Sequence, residues 1–273
     1  MPTVTRPGAP PIVYTDTGGG RPVVVLSHGI LMDASMFDAQ VAALTPAYRC
    51  ITWDQRGHGA TGLVTDAFTF WDSAEDLLAI LDAAGVDSAV LLGMSQGGFV
   101  SLRAALLAPD RVLGLVFLDS QAGQEADDAA PLYRGMAETW AQDGYDPAVA
   151  EFVAALIIGD QRASADYEPW TAKWAGFPKE QVLQPVYALL DRDDLTGRLG
   201  EVTVPALVIH GGDDAAIPMA RAEALAAGLP DCRGVVRVEG AGHAGNVTHP
   251  EPYNRAIRTF LYGLFPLRPK ATI

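Results

Sequence analysis

The chain has 273 residues, a length that suits one large α/β domain or two smaller domains. Apolar residues make up 49% of the sequence and charged residues 19%, which predicts a large buried core and excludes a disordered chain. The formal net charge of −14 argues against a nucleic-acid or anionic-membrane partner, because both ligands require clustered lysines and arginines.

Short apolar runs alternate with segments of helical periodicity along most of the chain. Continuous apolar runs are typical of strands that helices cover on both faces. The alternation predicts a mostly parallel, doubly wound α/β sheet whose functional groups gather at the carboxyl ends of the strands. In chain order, the pattern predicts strands at 23–26, 48–53, 89–92, 112–118, 206–209 and 234–238, separated or followed by helices at 35–44, 71–84, 96–108, 219–227 and 252–265.

The alternation stops between about residues 122 and 199. This stretch contains no convincing strand, and its periodicity predicts four helices, at 131–142, 147–158, 163–174 and 179–190. A helical insertion between two strands of a parallel sheet is typical of a cap over the strand ends. We therefore predict an α/β core formed by 1–121 and 200–273 and a helical cap formed by 122–199.

A nucleophile motif follows the third predicted strand. Residues 93–97 have the sequence Gly-Met-Ser-Gln-Gly, a G-x-S-x-G motif with Ser95 at its centre. A strand before the motif and a helix after it form the setting of a nucleophile elbow, in which a sharp turn exposes the serine hydroxyl above the sheet. An ordinary strand-to-helix turn with a serine N-cap is the alternative interpretation.

A serine hydroxyl needs a base beside it, and the base needs a third group to orient it. His243 is the best candidate base, because it follows the last predicted strand in a loop of small residues, and His210, at the end of the strand at 206–209, is an alternative. Asp214 lies just beyond the strand at 206–209 and is the best candidate acid, with Asp213 and Asp119 as alternatives. The chain order Ser95, Asp214, His243 is that of nucleophile, acid and base in α/β hydrolases.

Four segments together carry a family resemblance: Ser27-His28-Gly29-Ile30, the run from Trp53 to Gly59, Gly211-x-x-Asp214-x-x-x-Pro218 and Gly240-x-Gly242-His243. With the serine motif they resemble the α/β-hydrolase superfamily, and most closely its small-capped aryl esterases, cofactor-free haloperoxidases (perhydrolases) and 3-oxoadipate enol-lactonases. The resemblance implies an α/β-hydrolase fold with the cap inserted after the sixth strand. It also implies an oxyanion hole made by the backbone N–H groups of Ile30 and Gln96.

Candidate substrate-binding residues are apolar or aromatic and lie beside the oxyanion segment or in the predicted cap. The alternative is that the aromatic residues pack the cap's own core. Two cations of the cap, Lys173 and Arg192, are candidates for binding a substrate carboxylate. The candidate pocket residues are Leu31, Met32, Trp140, Trp170, Trp174 and Tyr187.

Signals for export, membrane insertion and metal binding are weak. Residues 1–20 lack the pattern of a signal peptide, and no run approaches the ~18 apolar residues of a membrane helix. The two cysteines, Cys50 and Cys232, form no metal-ligand pattern. We expect a soluble, cytoplasmic monomer or homodimer without metal or cofactor.

These residues favour a serine hydrolase that cleaves a small-molecule carboxylic ester or lactone through an acyl-enzyme intermediate, with no nucleic-acid or membrane partner. The same triad could serve C–C bond hydrolysis or peracid formation, so both remain alternatives. A remote alternative is a small-molecule binder that uses the hydrolase scaffold without catalysis.

Overall fold

A computed structural model of the protein describes residues 1–20, 22–124, 129–159 and 165–266. Within these residues eight strands form one sheet in the order β1-β2-β4-β3-β5-β6-β7-β8. The first two strands run antiparallel to their neighbours, and the strands from β3 to β8 pair in parallel. The strands are β1 Thr3–Val4, β2 Ile12–Asp16, β3 Val23–Ser27, β4 Arg49–Trp53, β5 Ala89–Met94, β6 Val112–Leu118, β7 Ala206–Gly211 and β8 Cys232–Val238.

The central strands are buried along their whole length, whereas β2 is not. Every residue of β3 and β5 is buried, which accounts for their continuous apolar sequences. In β2 only Ile12 and Tyr14 are buried. Both β1 and β2 escape prediction from the sequence, because β1 has two residues and β2 carries only a short alternating signal.

Helices cover both faces of the sheet and form an apolar cluster on each side. One helix shows how the sequence starts such an element: the Thr69 hydroxyl accepts from the Asp72 N–H, and the Asp72 carboxylate accepts from the Thr69 N–H. Within the described ranges, no helix is both long enough and apolar enough to cross a membrane. The core helices are α1 Asp38–Leu44, α2 Phe70–Ala83, α3 Gln96–Leu107, α8 Met219–Gly228, α9 Gly245–Thr248 and α10 Pro250–Leu264.

Among the described residues between β6 and β7, four further helices form the cap: α4 Ala129–Asp143, α5 Pro147–Ile157, α6 Tyr167–Ala175 and α7 Leu183–Leu190. The predicted doubly wound fold with a cap after the sixth strand is confirmed. The predicted helix at 179–190 begins as a 3-10 turn, and the first residues of the one predicted at 163–174 lie outside the described residues.

The limits of the cap at 122 and 199 stay a prediction. Near the second limit, the 3-10 turn Thr196–Glu201 lies against the core helix α8. A Cβ added to Gly228 would come within 2.4 Å of the Leu199 side chain, so this turn packs closely on that helix.

Candidate active site

Ser95 occupies a strained turn between β5 and α3. Its φ of 48° lies in the left-handed region, which is uncommon for a residue other than glycine and costs about 1–3 kcal/mol. The Ser95 N–H donates to the Leu118 carbonyl at 2.9 Å, so the neighbouring strand β6 helps to hold the turn. The turn places Ser95 at the N-terminus of α3 and in the wall of a cavity.

Two glycines allow α3 to start directly against the sheet. A Cβ added to Gly97 would lie 1.9 Å from the carbonyl oxygen of Ser27, and one added to Gly93 would lie 2.2 Å from the carbonyl carbon of Gly97. No side chain fits at such separations. The glycines of the motif are therefore required by the close approach of β3, β5 and α3.

His243 and Asp214 meet at the carboxyl ends of β7 and β8. His243 Nδ1 lies 2.9 Å from Asp214 Oδ2, and the other carboxylate oxygen accepts from the N–H groups of Ala216 and Ile217 at 2.8 and 2.9 Å. Burial alone would raise the pKa of Asp214, but the charge and hydrogen bond of His243 and the Ile217 N–H hold this pKa below its usual value. An ionised Asp214 can orient the imidazole and stabilise its protonated form.

Neither alternative acid takes the position of Asp214. Asp213 is exposed. Asp119, at the end of β6, accepts from the Gly211 N–H at 2.7 Å and lies 2.9 and 3.0 Å from the Tyr253 hydroxyl. Burial and the nearby charge of Asp214 raise the pKa of Asp119 well above its usual value. The Asp119 carboxyl is thus bonded to the backbone of β7 and to Tyr253, whereas Asp214 is the acid hydrogen-bonded to His243.

Among the described residues, Asp119, His210 and Asp214 come closest to a metal-binding arrangement. Their potential ligand atoms lie within 4.8 Å of one another. The carboxylates already accept from protein donors, as described above. His210 Nε2 lies 2.8 Å from the Ile217 carbonyl, to which it donates, and burial lowers the pKa of His210. These contacts give the cluster a structural role beneath the His243–Asp214 pair.

The segment 28–33, termed the oxyanion loop, follows β3 and lies against the cavity. Its Met32 N–H donates to the Gly29 carbonyl at 3.2 Å, and Leu31 has a φ of 59°. The N–H groups of Ile30 and Gln96, where the structure describes their surroundings, donate to no protein acceptor. Two such donors can bind the charge that develops on a carbonyl oxygen.

Two buried histidines tie the oxyanion loop to the segment after β4: His28 belongs to the loop and His58 to that segment. His28 Nε2 accepts from the Gln55 N–H at 2.9 Å, and His58 Nε2 accepts from the Leu31 N–H at 3.1 Å. Both rings must be neutral to accept in this way. Burial lowers the pKa of His28 to about 4 and that of His58 to about 3, so both remain neutral near pH 7.

The cavity lies between the strand ends and the cap. Ser95 and His243 form its floor with Ile30 and Leu31 of the oxyanion loop. The cap supplies mainly aliphatic and aromatic walls, and no described lining residue is a lysine, arginine, aspartate or glutamate. The cap residues are Tyr133, Met136, Ala137 and Trp140 on α4, Val149, Phe152, Val153, Leu156 and Ile157 on α5, and Val182, Val186 and Leu189 on the last cap segment.

A family model described as the alpha/beta hydrolase fold matches residues 22–250. The chain belongs to this family. The sheet order, the strained serine after β5 and the acid and histidine after β7 and β8 are the structural counterparts of the sequence motifs.

Relatives of this α/β hydrolase carry names for several hydrolytic reactions. The proposed carbamate hydrolase RutD of Variovorax paradoxus (strain S110) is 32% identical over 242 residues, which are 87% of this chain and 91% of that protein. A thermophilic esterase from Thermogutta terrifontis, solved with malate bound, has a TM-score of 0.87 at 28% identity, covering 96% of this chain and 98% of that one. The enol-lactonase from Burkholderia xenovorans LB400 has a TM-score of 0.84 at 25% identity, covering 92% and 96% of the two chains.

Only part of the predicted pocket lines the cavity of the α/β hydrolase. Leu31 and Trp140 do so. Met32 is instead buried in the apolar cluster beneath the loop, and the Tyr187 hydroxyl donates to Glu138 near the surface at 3.0 Å. Their positions follow from tertiary packing, which residue type does not reveal.

The two remaining tryptophans and the two candidate cations also lie outside the cavity wall. Trp174 donates to the Leu31 carbonyl at 2.8 Å, and the ring of Trp170 lies 4.1 Å from Lys173 Nζ. Lys173 binds Asp33 at 2.7 Å. Arg192 donates to the Gly123 carbonyl at 3.0 Å. Both cations are thus bonded to protein acceptors, and their binding of a substrate carboxylate stays a prediction.

Sequence inspection missed the apolar face of α5. Val149, Val153, Leu156 and Ile157 are spaced by four, three and one residues, which puts them on one side of a helix. This periodicity in the sequence predicts that one face of α5 is buried. It could not distinguish a face that lines a cavity from one that packs on another helix.

Proposed function

We propose that this α/β hydrolase cleaves an uncharged, apolar carboxylic ester or lactone through an acyl-enzyme intermediate. One observation carries the proposal. Ser95, the oxyanion loop and His243 line the same cavity, and His243 is hydrogen-bonded to Asp214. A nucleophile, a base with its orienting acid and two backbone donors are the groups that acyl transfer requires.

In the proposed reaction, the Ser95 oxygen attacks the substrate carbonyl carbon while His243 accepts the hydroxyl proton. The carbonyl oxygen becomes an oxyanion that accepts from the N–H groups of Ile30 and Gln96, each worth about 3–4 kcal/mol of barrier. His243 then donates the proton to the leaving alkoxide. A water molecule repeats these steps on the acyl-enzyme and releases the carboxylic acid.

The lining of the cavity supports an uncharged acyl group. A buried carboxylate is costly unless a cation or several hydrogen-bond donors meet it. The described lining side chains include no lysine or arginine, and Lys173 and Arg192 are engaged elsewhere. An acyl chain without charge therefore fits this site better than a dicarboxylate half-ester or a carboxylated lactone.

The same argument favours an ester over a carbamate, the substrate class in the name of one relative. A carbamate nitrogen carries N–H groups or a lone pair. In an apolar cavity these polar groups lose their hydration. Beyond Ser95 and His243, the described wall offers only the Tyr133 hydroxyl and the Trp140 indole as polar side chains. Most of the side chains that a substrate would contact in this cavity are therefore aliphatic.

The test is a set of p-nitrophenyl esters assayed with wild type and Ser95→Ala. Octanoate and the suberate half-ester have the same chain length and differ by a terminal carboxylate, so their comparison isolates charge. We expect kcat/KM to be at least about a hundredfold higher for octanoate. Turnover in Ser95→Ala should fall below about a thousandth of wild type.

Lactones and a p-nitrophenyl carbamate complete the comparison. Preference for the suberate half-ester would contradict the proposed substrate class, and residual Ser95→Ala activity above a thousandth would contradict the nucleophile. If a fluorophosphonate labels Ser95 but no ester, lactone or carbamate is turned over, C–C hydrolysis or perhydrolysis replaces the proposal. If Ser95 is not labelled either, a binding function replaces it.

A further inference from the structure

The cap contacts the oxyanion loop through a hydrogen bond from a buried indole. Trp174, on α6, is fully buried, and its Nε1–H donates to the backbone carbonyl of Leu31 at 2.8 Å. A second contact lies beside it, where Lys173 Nζ donates to Asp33 Oδ2 at 2.7 Å. The cap helix therefore holds the same loop whose Ile30 lines the cavity.

Leu31 requires such support because its backbone is in the left-handed region, with a φ of 59°. Strained residues of this kind persist where the surrounding structure holds them in place. Side chains bind both backbone polar groups of Leu31: the N–H donates to His58 at 3.1 Å, and the carbonyl accepts from Trp174. One support comes from the core and the other from the cap.

The hydrogen bond from Trp174 acts on the peptide unit that joins Leu31 to Met32. A peptide unit is planar, with its carbonyl and N–H pointing in opposite directions. Holding the Leu31 carbonyl therefore also aims the Met32 N–H, which donates to the Gly29 carbonyl at 3.2 Å.

The Gly29 carbonyl belongs to the peptide unit that carries the Ile30 N–H. This carbonyl accepts from Met32 N–H and from His28 Nδ1, the latter at 2.8 Å. Because the unit is planar, fixing its carbonyl also sets the direction of the Ile30 N–H on the opposite side. Trp174 is thus connected to the oxyanion donor through two peptide units, Leu31–Met32 and Gly29–Ile30, which a hydrogen bond joins.

We propose that Trp174 is a positioning residue of the cap that holds the Ile30 N–H in the orientation needed to bind the oxyanion. This inference rests on the proposed function. Trp174 contacts no reacting atom and acts through Leu31 and Gly29. The cap then contributes to the chemical step as well as to the walls of the cavity.

Trp174→Phe tests the proposal, because phenylalanine keeps an aromatic ring and lacks the N–H donor. A misplaced oxyanion donor weakens the transition state more than the bound substrate. We expect kcat for the preferred ester to fall between about tenfold and a hundredfold, with KM changed less than about threefold.

Trp170→Phe is the matched control, because this residue lies on the same helix and is also buried. Its indole contacts Lys173 and, within the described chain, donates no hydrogen bond to the oxyanion loop. We expect kcat of this variant to stay within about twofold of wild type. A similar kcat in the two tryptophan variants would overturn the proposal.

Two inhibitors separate a positioning role from a structural one. A trifluoromethyl ketone bonds to the Ser95 oxygen, passes the serine proton to His243 and leaves an oxyanion, whereas the methyl ketone of equal chain length binds mainly as the neutral carbonyl. Trp174→Phe should weaken trifluoromethyl ketone binding by the same factor as kcat and leave methyl ketone binding unchanged. Equal losses for both inhibitors would indicate general damage to the cavity and overturn the proposal.

Circular dichroism decides whether Trp174→Phe folds. If it does not, replacing the indole of residue 174 by benzothiophene exchanges the N–H for sulfur at nearly constant shape and permits the same comparison. Wild-type turnover that persists in Ser95→Ala would refute the proposed function and this inference together. Turnover that depends on Ser95 but is unchanged in both variants of Trp174 refutes the inference alone.

Discussion

The strand ends and the cap build opposite sides of one cavity by different physical means. At the strand ends, hydrogen bonds hold individual polar atoms, as between His243 and Asp214 or between Leu31 and His58. The cap lines the cavity mainly with apolar side chains of α4 and α5. The difference supports the proposed division of roles, in which the strand ends carry out the reaction and the cavity faces of α4 and α5 select the substrate.

The largest expected effect separates the two buried acids of the core. Asp214→Asn should lower kcat by about ten-thousandfold, because an asparagine cannot orient and stabilise the protonated His243 ring. Asp119→Asn should lower kcat by less than about tenfold, because an amide oxygen can still accept from Gly211 and Tyr253.

Steady-state kinetics on both variants, with urea unfolding to compare their stability, checks this prediction. Equal losses of kcat in two folded variants would mean that Asp119 takes part in orienting the histidine. A larger loss in Asp119→Asn would transfer the role of the acid to Asp119.

A smaller effect is expected from filling the cap side of the cavity. Ala137 lies on α4, is 5% exposed and lines the cavity, so Ala137→Phe should occupy space that a long acyl chain uses. We expect kcat/KM for the octanoyl ester to fall by about tenfold to a hundredfold and that for the acetyl ester by less than about threefold. Kinetics along the ester series measures both.

Tyr187→Phe is the control for this cap variant, because the Tyr187 hydroxyl bonds to Glu138 outside the cavity. Its chain-length preference should equal that of wild type. A uniform loss across the ester series in Ala137→Phe would mean that the substitution disturbs the strand ends rather than the acyl site.

The smallest expected effect concerns the buried histidines of the core. The pKa of His58 is about 3 in the folded protein and about 6.5 in an unfolded chain. Between these values the unfolded chain binds a proton that the folded protein does not, so stability falls as the pH decreases. His58→Gln keeps an acceptor for the Leu31 N–H and removes this titration.

Between pH 6 and pH 4, the free energy of unfolding of wild type should therefore fall more steeply than that of His58→Gln, by about 1.4 kcal/mol per pH unit. Urea unfolding at several pH values measures the two slopes. The contribution of Asp119 occurs in both proteins and cancels in the difference. Parallel slopes would contradict a neutral, buried His58.

The candidate catalytic residues of the core were easier to predict from the sequence than the roles of the cap residues, because short sequence motifs identify them. Ser95 is recognisable between a strand and a helix, and Asp214 and His243 each follow an apolar strand. In contrast, the tryptophans of the cap share one residue type but not one environment. Trp140 lines the cavity, whereas Trp170 packs beside Lys173 and Trp174 binds the oxyanion loop.

By itself, the sequence determined the α/β fold, the insertion of a cap and the order of the candidate nucleophile, acid and base. These features depend on local periodicity and on short motifs. Only the tertiary structure decided which acid meets the histidine and which tryptophan reaches the oxyanion loop. The contacts concerned join residues 29 and 143 positions apart, and their geometry depends on how whole elements pack rather than on local sequence.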